Sequence, residues 1–364
     1  MPDITMGIYL KNNKYIFNKM GRVMDRKWFD LAFVCLASGA LVTETNVAWG
    51  GVTLLAAKTN VAPKLDGIVD GVWNKGTPVT IPVVGGRNLP GGKTKVMLKA
   101  LYTDTMVYFL AQYKDPTQSL SRTPWQKQKD GSWKKLKSPD AEEKGENRYS
   151  EDKLSLMWNI STPGFETKGC MVACHLRDGG DPYGKKYTPK PNERLDMWHM
   201  RAVRTAPVGK MDDQYVDGTR FDKEKSPGAG RHSDPDTGGG SKNNETKDKK
   251  MPMYALLGNK VAPPYWIFDS RKVPFDNTKY KAGDMVPSVL VAPFKGDRGN
   301  IAAKMFWKNG VWTHEIARKR VTGSEFDVQF NNLAKAYAFG VAVMDNTGDR
   351  HAYDVGVQVM KFQK

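Results

Sequence analysis

The chain has 364 residues, of which 40% are hydrophobic and 26% charged. That is enough apolar material for one large core or two smaller ones, and it excludes a fibrous or wholly disordered chain. Thirty-five glycines, 21 prolines and ten tryptophans favour short strands joined by turns over a helical bundle. Fifty-six Lys and Arg against 39 Asp and Glu give a net charge of +17, which favours anionic partners. The bases are nevertheless mixed with acids, and no nucleic-acid-binding motif accompanies them, so nucleic acid is not an expected partner.

The first segment reads as an export leader. Arg22, Arg26 and Lys27 precede the apolar run 31–42, and Ala48, Trp49 and Gly50 supply a small-residue cleavage site. Residues 1–50 are therefore expected to be a signal peptide absent from the mature fold, with the protein in the periplasm or an equivalent extracytoplasmic compartment. A later start at Met20 or Met24 is the competing reading. The run is shorter than the ~20 residues that span a bilayer, and no membrane span is expected downstream.

From residue 51 onward a single domain is expected. Alternating stretches at 95–102 and 107–113 predict two half-buried antiparallel strands, and Leu154, Leu156, Trp158 and Ile160 alternate with Lys153, Ser155, Met157 and Asn159 as a third. Residues 304–307 and 311–318 flank Asn309-Gly310, the dipeptide suited to a two-residue hairpin turn. Stretches 337–344 and 355–362 flank the turn residues Asp345 to Gly348. The predicted fold is mainly β, an antiparallel β-sandwich with long loop insertions and few short helices. Two polar insertions are expected, near 121–151 and 218–250. The second, with Gly238 to Gly240, reads as a flexible loop, an interdomain linker being the competing view. Trp and basic residues in 121–137 make that segment a candidate docking surface. The acidic pairs Asp212-Asp213 and Glu142-Glu143 read as solvated faces or turn caps.

Chemistry concentrates at Cys170-Met171-Val172-Ala173-Cys174-His175. Covalent haem attachment uses C-x-x-C-H, in which two thiols add to the haem vinyl groups and the histidine ligates iron. Here the spacing is one residue longer, which a local bulge would accommodate. Cys170 and Cys174 are thus candidate attachment residues, with His175 as iron ligand. A Cys170–Cys174 disulfide and a zinc site compete, although no second cysteine pair exists for zinc. For a second axial ligand, His199 and His351 are better placed by sequence than His232, in a polar loop, or His314, on a predicted strand. Met171 is a further haem-binding candidate.

The stretches Leu65-Asp66-Gly67 through Trp73, Asp196-Met197-Trp198-His199 through Asp212-Asp213, and Trp307 through His351 resemble the haem-binding domain of the ethylbenzene dehydrogenase-related family. The resemblance covers about residues 61–364. It implies a β-sandwich holding one haem: the gamma subunit of complexes whose catalytic subunit carries molybdenum, nitrite oxidoreductase among them. Such a subunit relays electrons between an iron-sulfur subunit and a soluble cytochrome and is not an enzyme on its own. The simplest members hold a b-type haem by a methionine and a lysine. Here the methionine region holds Cys170 to His175, and the lysine position holds Tyr353 or Asp354, near His351. The departure implies c-type haem with histidine ligation, b-type remaining open. Leu65-Asp66-Gly67, Trp73 and the pattern from Tyr102 to Tyr113 also resemble family 9 carbohydrate-binding modules, in which surface tryptophans would stack on sugars.

Overall fold

A computed structural model describes residues 51–138, 149–174 and 185–364, and residues 49–364 group as one compact unit. The expected export leader lies outside the described residues, as does Glu142-Glu143. Among the described residues no helix is long and apolar enough to cross a membrane.

Period-two alternation builds the scaffold. Strands Lys93–Tyr102 and Met106–Lys114 pair as a hairpin, with Val96, Leu98 and Ala100 of the first and Val107, Phe109 and Ala111 of the second turned to the core. Ala302–Lys308 and Val311–Lys319 form the second hairpin. Its turn residues Asn309 (φ 51°) and Gly310 (φ 76°) both take the left-handed conformation that this turn requires. The expected strand at 355–362 is shorter, Gln358–Phe362, with Ala352–Tyr353 as a separate short strand.

Thirteen strands join in one folded-over sheet. One arm runs through Arg231–Ser233, Asp212–Val216, Leu195–Arg201, Lys153–Asn159 and Tyr337–Met344. The other carries Val79–Val84 and the two hairpins. The arms face each other across one core, where Phe109 meets Trp158 and Trp198 at ring distances of 5.4 and 5.6 Å. Thr53–Lys58 runs parallel to both Gln358–Phe362 and Lys93–Tyr102 and ties the arms together. The result is the mainly β, largely antiparallel sandwich expected from the sequence.

Both insertions are more built than a polar reading suggests. Trp125–Lys127, Trp133–Lys135 and Met285–Val286 form a small sheet over their own apolar cluster. Trp125 is buried with its indole N–H donating to the Asn244 carbonyl at 2.7 Å, and Trp133 lies edge-on to Phe275 and Tyr280. These rings pack inward, so what the segment exposes is its lysines, Lys129, Lys134 and Lys137 among them. Gly240–Asn243 pairs with Val289–Ala292, and a Cβ on Gly239 would lie 1.8 Å from the Pro293 carbonyl oxygen. The triple glycine therefore marks close backbone packing, not a flexible loop.

Candidate functional site

Strand Lys153–Asn159 was expected to show one buried face, yet both are covered. Leu154, Leu156 and Trp158 enter the sandwich core, while Met157 joins a second cluster on the outer face with Phe165, Cys170, Val172, Leu195 and Met197. The cover comes from two four-residue helices, Phe165–Lys168 and Met171–Cys174, joined at Gly169. Gly169 has φ 58°, and a Cβ there would meet the Gly356 carbonyl oxygen at 2.7 Å. Only glycine permits this turn, which lays Cys170 onto the sheet. Beneath it Gly340 leaves space: an added Cβ would be 3.3 Å from the Cys170 Cβ and 3.2 Å from Asp354 Oδ1.

Beside this contact a shallow cleft of about 80 Å³, partly open to solvent, lies on the outer sheet face. Strand register fixes its floor. Ala342, Ser155 and His199 are cross-strand neighbours in one row, and Gly340, Met157 and Met197 in the next. Cys170, Lys186, Arg231, His351 and Tyr353 line its walls. The cleft thus combines a thiol, the three thioethers of Met157, Met197 and Met344, and imidazole over a floor of small residues.

The two histidines differ in electrostatics. His199 is buried, and its Nδ1 faces guanidinium donors from Arg201 at 3.0 Å and Arg231 at 3.1 Å. Burial first, then these cations, hold its pKa well below the ordinary histidine value. A neutral ring that accepts at Nδ1 carries its proton on Nε2, so His199 offers an N–H donor and no lone pair. Metal-bound imidazoles show the reverse, donating from the second nitrogen. His351 has that reverse arrangement: its Nδ1 lies 2.9 Å from the Asp349 carbonyl oxygen, which can only accept, leaving the lone pair on Nε2.

The guanidinium of Arg201 is anchored by Asp212, which also accepts from Arg298 Nε at 2.6 Å. Burial opposes ionisation of Asp212, but Arg201 and Arg298 outweigh it and hold its pKa below the usual carboxylate value. Asp212 and Asp213 are both buried, which corrects the expectation of a solvated face. A lone sequence gives no sign of Arg201 and Arg298, the partners that make burial of Asp212 tolerable.

Of the residues singled out in the sequence, Cys170, His199 and His351 meet at the cleft. Met171 does not line it and is 37% exposed. Cys174 contributes its backbone to the second helix, and its side chain and the whole of His175 lie outside the described residues. Tyr353 lines the cleft, whereas Asp354 lies behind Gly340, its Oδ1 accepting from Val341 N at 3.0 Å with Cys170 Sγ at 3.9 Å. Burial raises the Asp354 pKa to about 6. His232 pairs with Asp217 at 3.2 Å, and His314 is buried against Tyr113, so neither joins the site. Sequence reasoning missed Met157, Met197, Met344, Lys186 and Arg231. The alternation that put Met157 opposite Trp158 was visible, but it read as a solvent face.

The sequence profile of the ethylbenzene dehydrogenase family matches residues 70–356. The chain belongs to that family. No curated protein sequence matches it significantly. Among solved structures, a family 9 carbohydrate-binding module from Caldicellulosiruptor kristjanssonii in complex with glucose is similar at 10% identity and TM-score 0.34, covering 86% of this chain and 96% of that one. The same organism's family 9 module in complex with cellotriose gives 9% identity and TM-score 0.33, covering 86% and 95%. At such TM-scores no argument about this ethylbenzene dehydrogenase family member follows from them.

Proposed function

We propose that this chain holds haem in the cleft above Gly340 and serves as the electron-relaying, gamma-like subunit of an exported molybdenum oxidoreductase complex such as nitrite oxidoreductase. Family membership supports the general class. The observation that carries the finer reading is the convergence of Cys170, Met157, Met197 and His351 on one cleft, because thiolate, thioether and imidazole are the ligands and attachment groups that haem iron and haem vinyls take. Cys170 and Cys174 would attach the group, His175 would bind iron, and His351 is favoured over His199 as second ligand by its tautomer. Should the haem be b-type, Met157, Met197 or Met344 replaces Met171 as the thioether candidate, since these three line the cleft and Met171 does not.

When bound, haem supplies one-electron transfer. The chain's own residues do the rest: Gly340 and Ala342 provide a flat floor, the Phe165–Cys174 cover excludes water from one side, and Arg231 and Lys186 set a positive field. The His199 N–H directed by two guanidiniums suits an anionic edge of the ligand, such as a carboxylate. Electrons would pass between an iron-sulfur subunit and a soluble cytochrome, with no reaction catalysed by this chain alone.

The test is a pyridine haemochrome spectrum of the full chain purified from cells competent in cytochrome maturation. A Soret band that persists after acid-acetone extraction, and is lost in the Cys170→Ala, Cys174→Ala variant, is the expected result. A folded, colourless protein overturns the proposal. Sugar-dependent quenching of tryptophan fluorescence in that colourless protein would favour the carbohydrate module, for which few rings remain: Trp73, Trp125, Trp133, Trp158, Trp198 and Trp312 are all buried.

A further inference from the structure

Directly behind the cleft, on the core side of the same strands, lies a group of buried acids that the haem reading does not use. Asp196 lies on Leu195–Arg201, Asp213 on Asp212–Val216, and Asp327 in the segment after Val311–Lys319. One carboxylate oxygen from each lies within 4.8 Å of the others. All three are at most 2% exposed.

What distinguishes the group from an ordinary ion-pair network is how little answers it. Asp196 Oδ2 accepts from Arg318 Nη1 and from Val328 N, each at 2.9 Å, and Asp327 Oδ2 accepts from Asn300 Nδ2 at 2.9 Å. The second oxygens of Asp196 and Asp327 and both oxygens of Asp213 are buried with no hydrogen-bond partner among the described residues. A fourth acid, Asp234, 2% exposed, lies carboxyl against carboxyl with Asp327, and among the described residues no N–H or hydroxyl donor reaches either of its oxygens. The Asn300 amide oxygen is a further buried, unpartnered acceptor. The one guanidinium at the group, that of Arg318, lies 2.9 Å from Asp196 Oδ2 and 3.8 Å from Asp327 Oδ2, so four crowded acids share a single cation.

We propose that Asp196, Asp213, Asp234 and Asp327, with the Asn300 amide oxygen, bind one calcium ion that braces the strands bearing Met197 and His199. An all-oxygen, carboxylate-rich donor set suits a hard divalent cation. A dry cage built wholly from protein oxygens favours calcium over magnesium, which dehydrates reluctantly and usually keeps several waters. The second buried acidic group, Asp115, Asp152 and Asp345, is a useful contrast. There Asp152 accepts from Asn346 N at 2.9 Å and Ser119 N at 2.6 Å, and Asp115 and Asp345 both accept from Thr117, so donors already occupy most of the oxygens. The calcium proposal is independent of haem, and failure of either leaves the other standing.

The experiment uses the full chain. Protein purified with calcium and then dialysed into metal-free buffer is assayed for metal content. It is then melted in EDTA, in calcium and in magnesium. One calcium per chain is expected, with a melting temperature about 5 °C or more above the EDTA value at calcium near 100-fold its Kd, and a smaller rise in magnesium. Asp213→Asn and Asp234→Asn should each lose the calcium-dependent rise while melting in EDTA near or above the wild-type temperature, because each puts a neutral amide of the same shape in place of one of several crowded buried acids. Terbium supplies a second readout, since Trp198 is the cross-strand neighbour of Asp213 and can sensitise its luminescence. Emission should appear on tryptophan excitation and vanish in both variants. A wild-type melt indifferent to calcium, with no metal retained and no terbium emission, overturns the proposal. So does a calcium-dependent rise that persists in both variants, which would place the ion elsewhere.

Discussion

Asp212→Asn probes how the cleft strands are held. The Arg201 guanidinium is 4% exposed and the Asp212 carboxylate 1%, so their pair is desolvated. Removing one partner of a buried pair costs about 3–5 kcal/mol, because the survivor remains as an uncompensated charge. Arg201 would still reach His199 Nδ1 at 3.0 Å and Gln214 Oε1 at 3.4 Å, which argues for the lower end, about 3 kcal/mol. For a domain of this size that corresponds to a fall of roughly 6–12 °C in melting temperature. Arg201→Met should cost less, since Asp212 keeps Arg298 Nε at 2.6 Å. Asp104→Asn is the internal control. Its pair with Lys58 has side chains 85% and 54% exposed, and its loss should leave the melt unchanged. The assay is chemical denaturation from pH 7 down to pH 3. The Asp212 carboxyl titrates lower in the folded chain than in the unfolded one, so its stabilisation is full above the ordinary carboxylate pKa and is lost as pH falls through the folded value. The gap between wild type and variant should therefore close in acid. A variant no less stable than Asp104→Asn at pH 7, or a gap that widens in acid, would refute the reasoning.

Two further outcomes follow from single positions. Gly340→Val places a branched side chain where even a bare Cβ stands 3.3 Å from Cys170 and 3.2 Å from Asp354. Overpacking of this kind costs about 1–3 kcal/mol, and the variant should also lose haem content by haemochrome assay while far-UV circular dichroism stays β. His314 is buried with neither ring nitrogen partnered among the described residues, and burial lowers its pKa to about 3. The unfolded chain takes up a proton near pH 6.5 that the folded chain refuses, so stability falls by up to ~1.4 kcal/mol per pH unit below ~6.5. His314→Leu should flatten that slope in urea titrations at pH 4 to 6 and leave pH 8 stability little changed.

The hairpins were legible because each of their strands presents one apolar face and one mixed face, and because Asn309-Gly310 encodes its turn in two residues. The strand Leu195–Arg201 was not, and the reason is physical. It is buried over its whole length, yet it carries Asp196, His199 and Arg201. Hydropathy alternation fails wherever a buried charge is answered from another strand, as Asp196 is by Arg318 and Arg201 by Asp212. The same blindness turned Asp212-Asp213 into a surface pair and hid that Trp125 and Trp133 are buried.

That strand is also where the two proposed sites meet. Successive residues of a strand point to opposite faces, so Asp196 turns towards the acidic group while its neighbour Met197 lines the cleft. The next strand repeats the division, with Asp213 facing the acids and Asp212, on the other face, holding Arg201 and through it His199. A displacement of this strand pair on one face is therefore a displacement on the other. If calcium braces the acids, its removal should alter not only the melt but also the environment of the cleft, and a haem bound there would report it as a shifted Soret band or potential. A loaded chain whose spectrum and potential ignore calcium, while its melt responds, would break the link between the two faces and leave the ion a purely local brace.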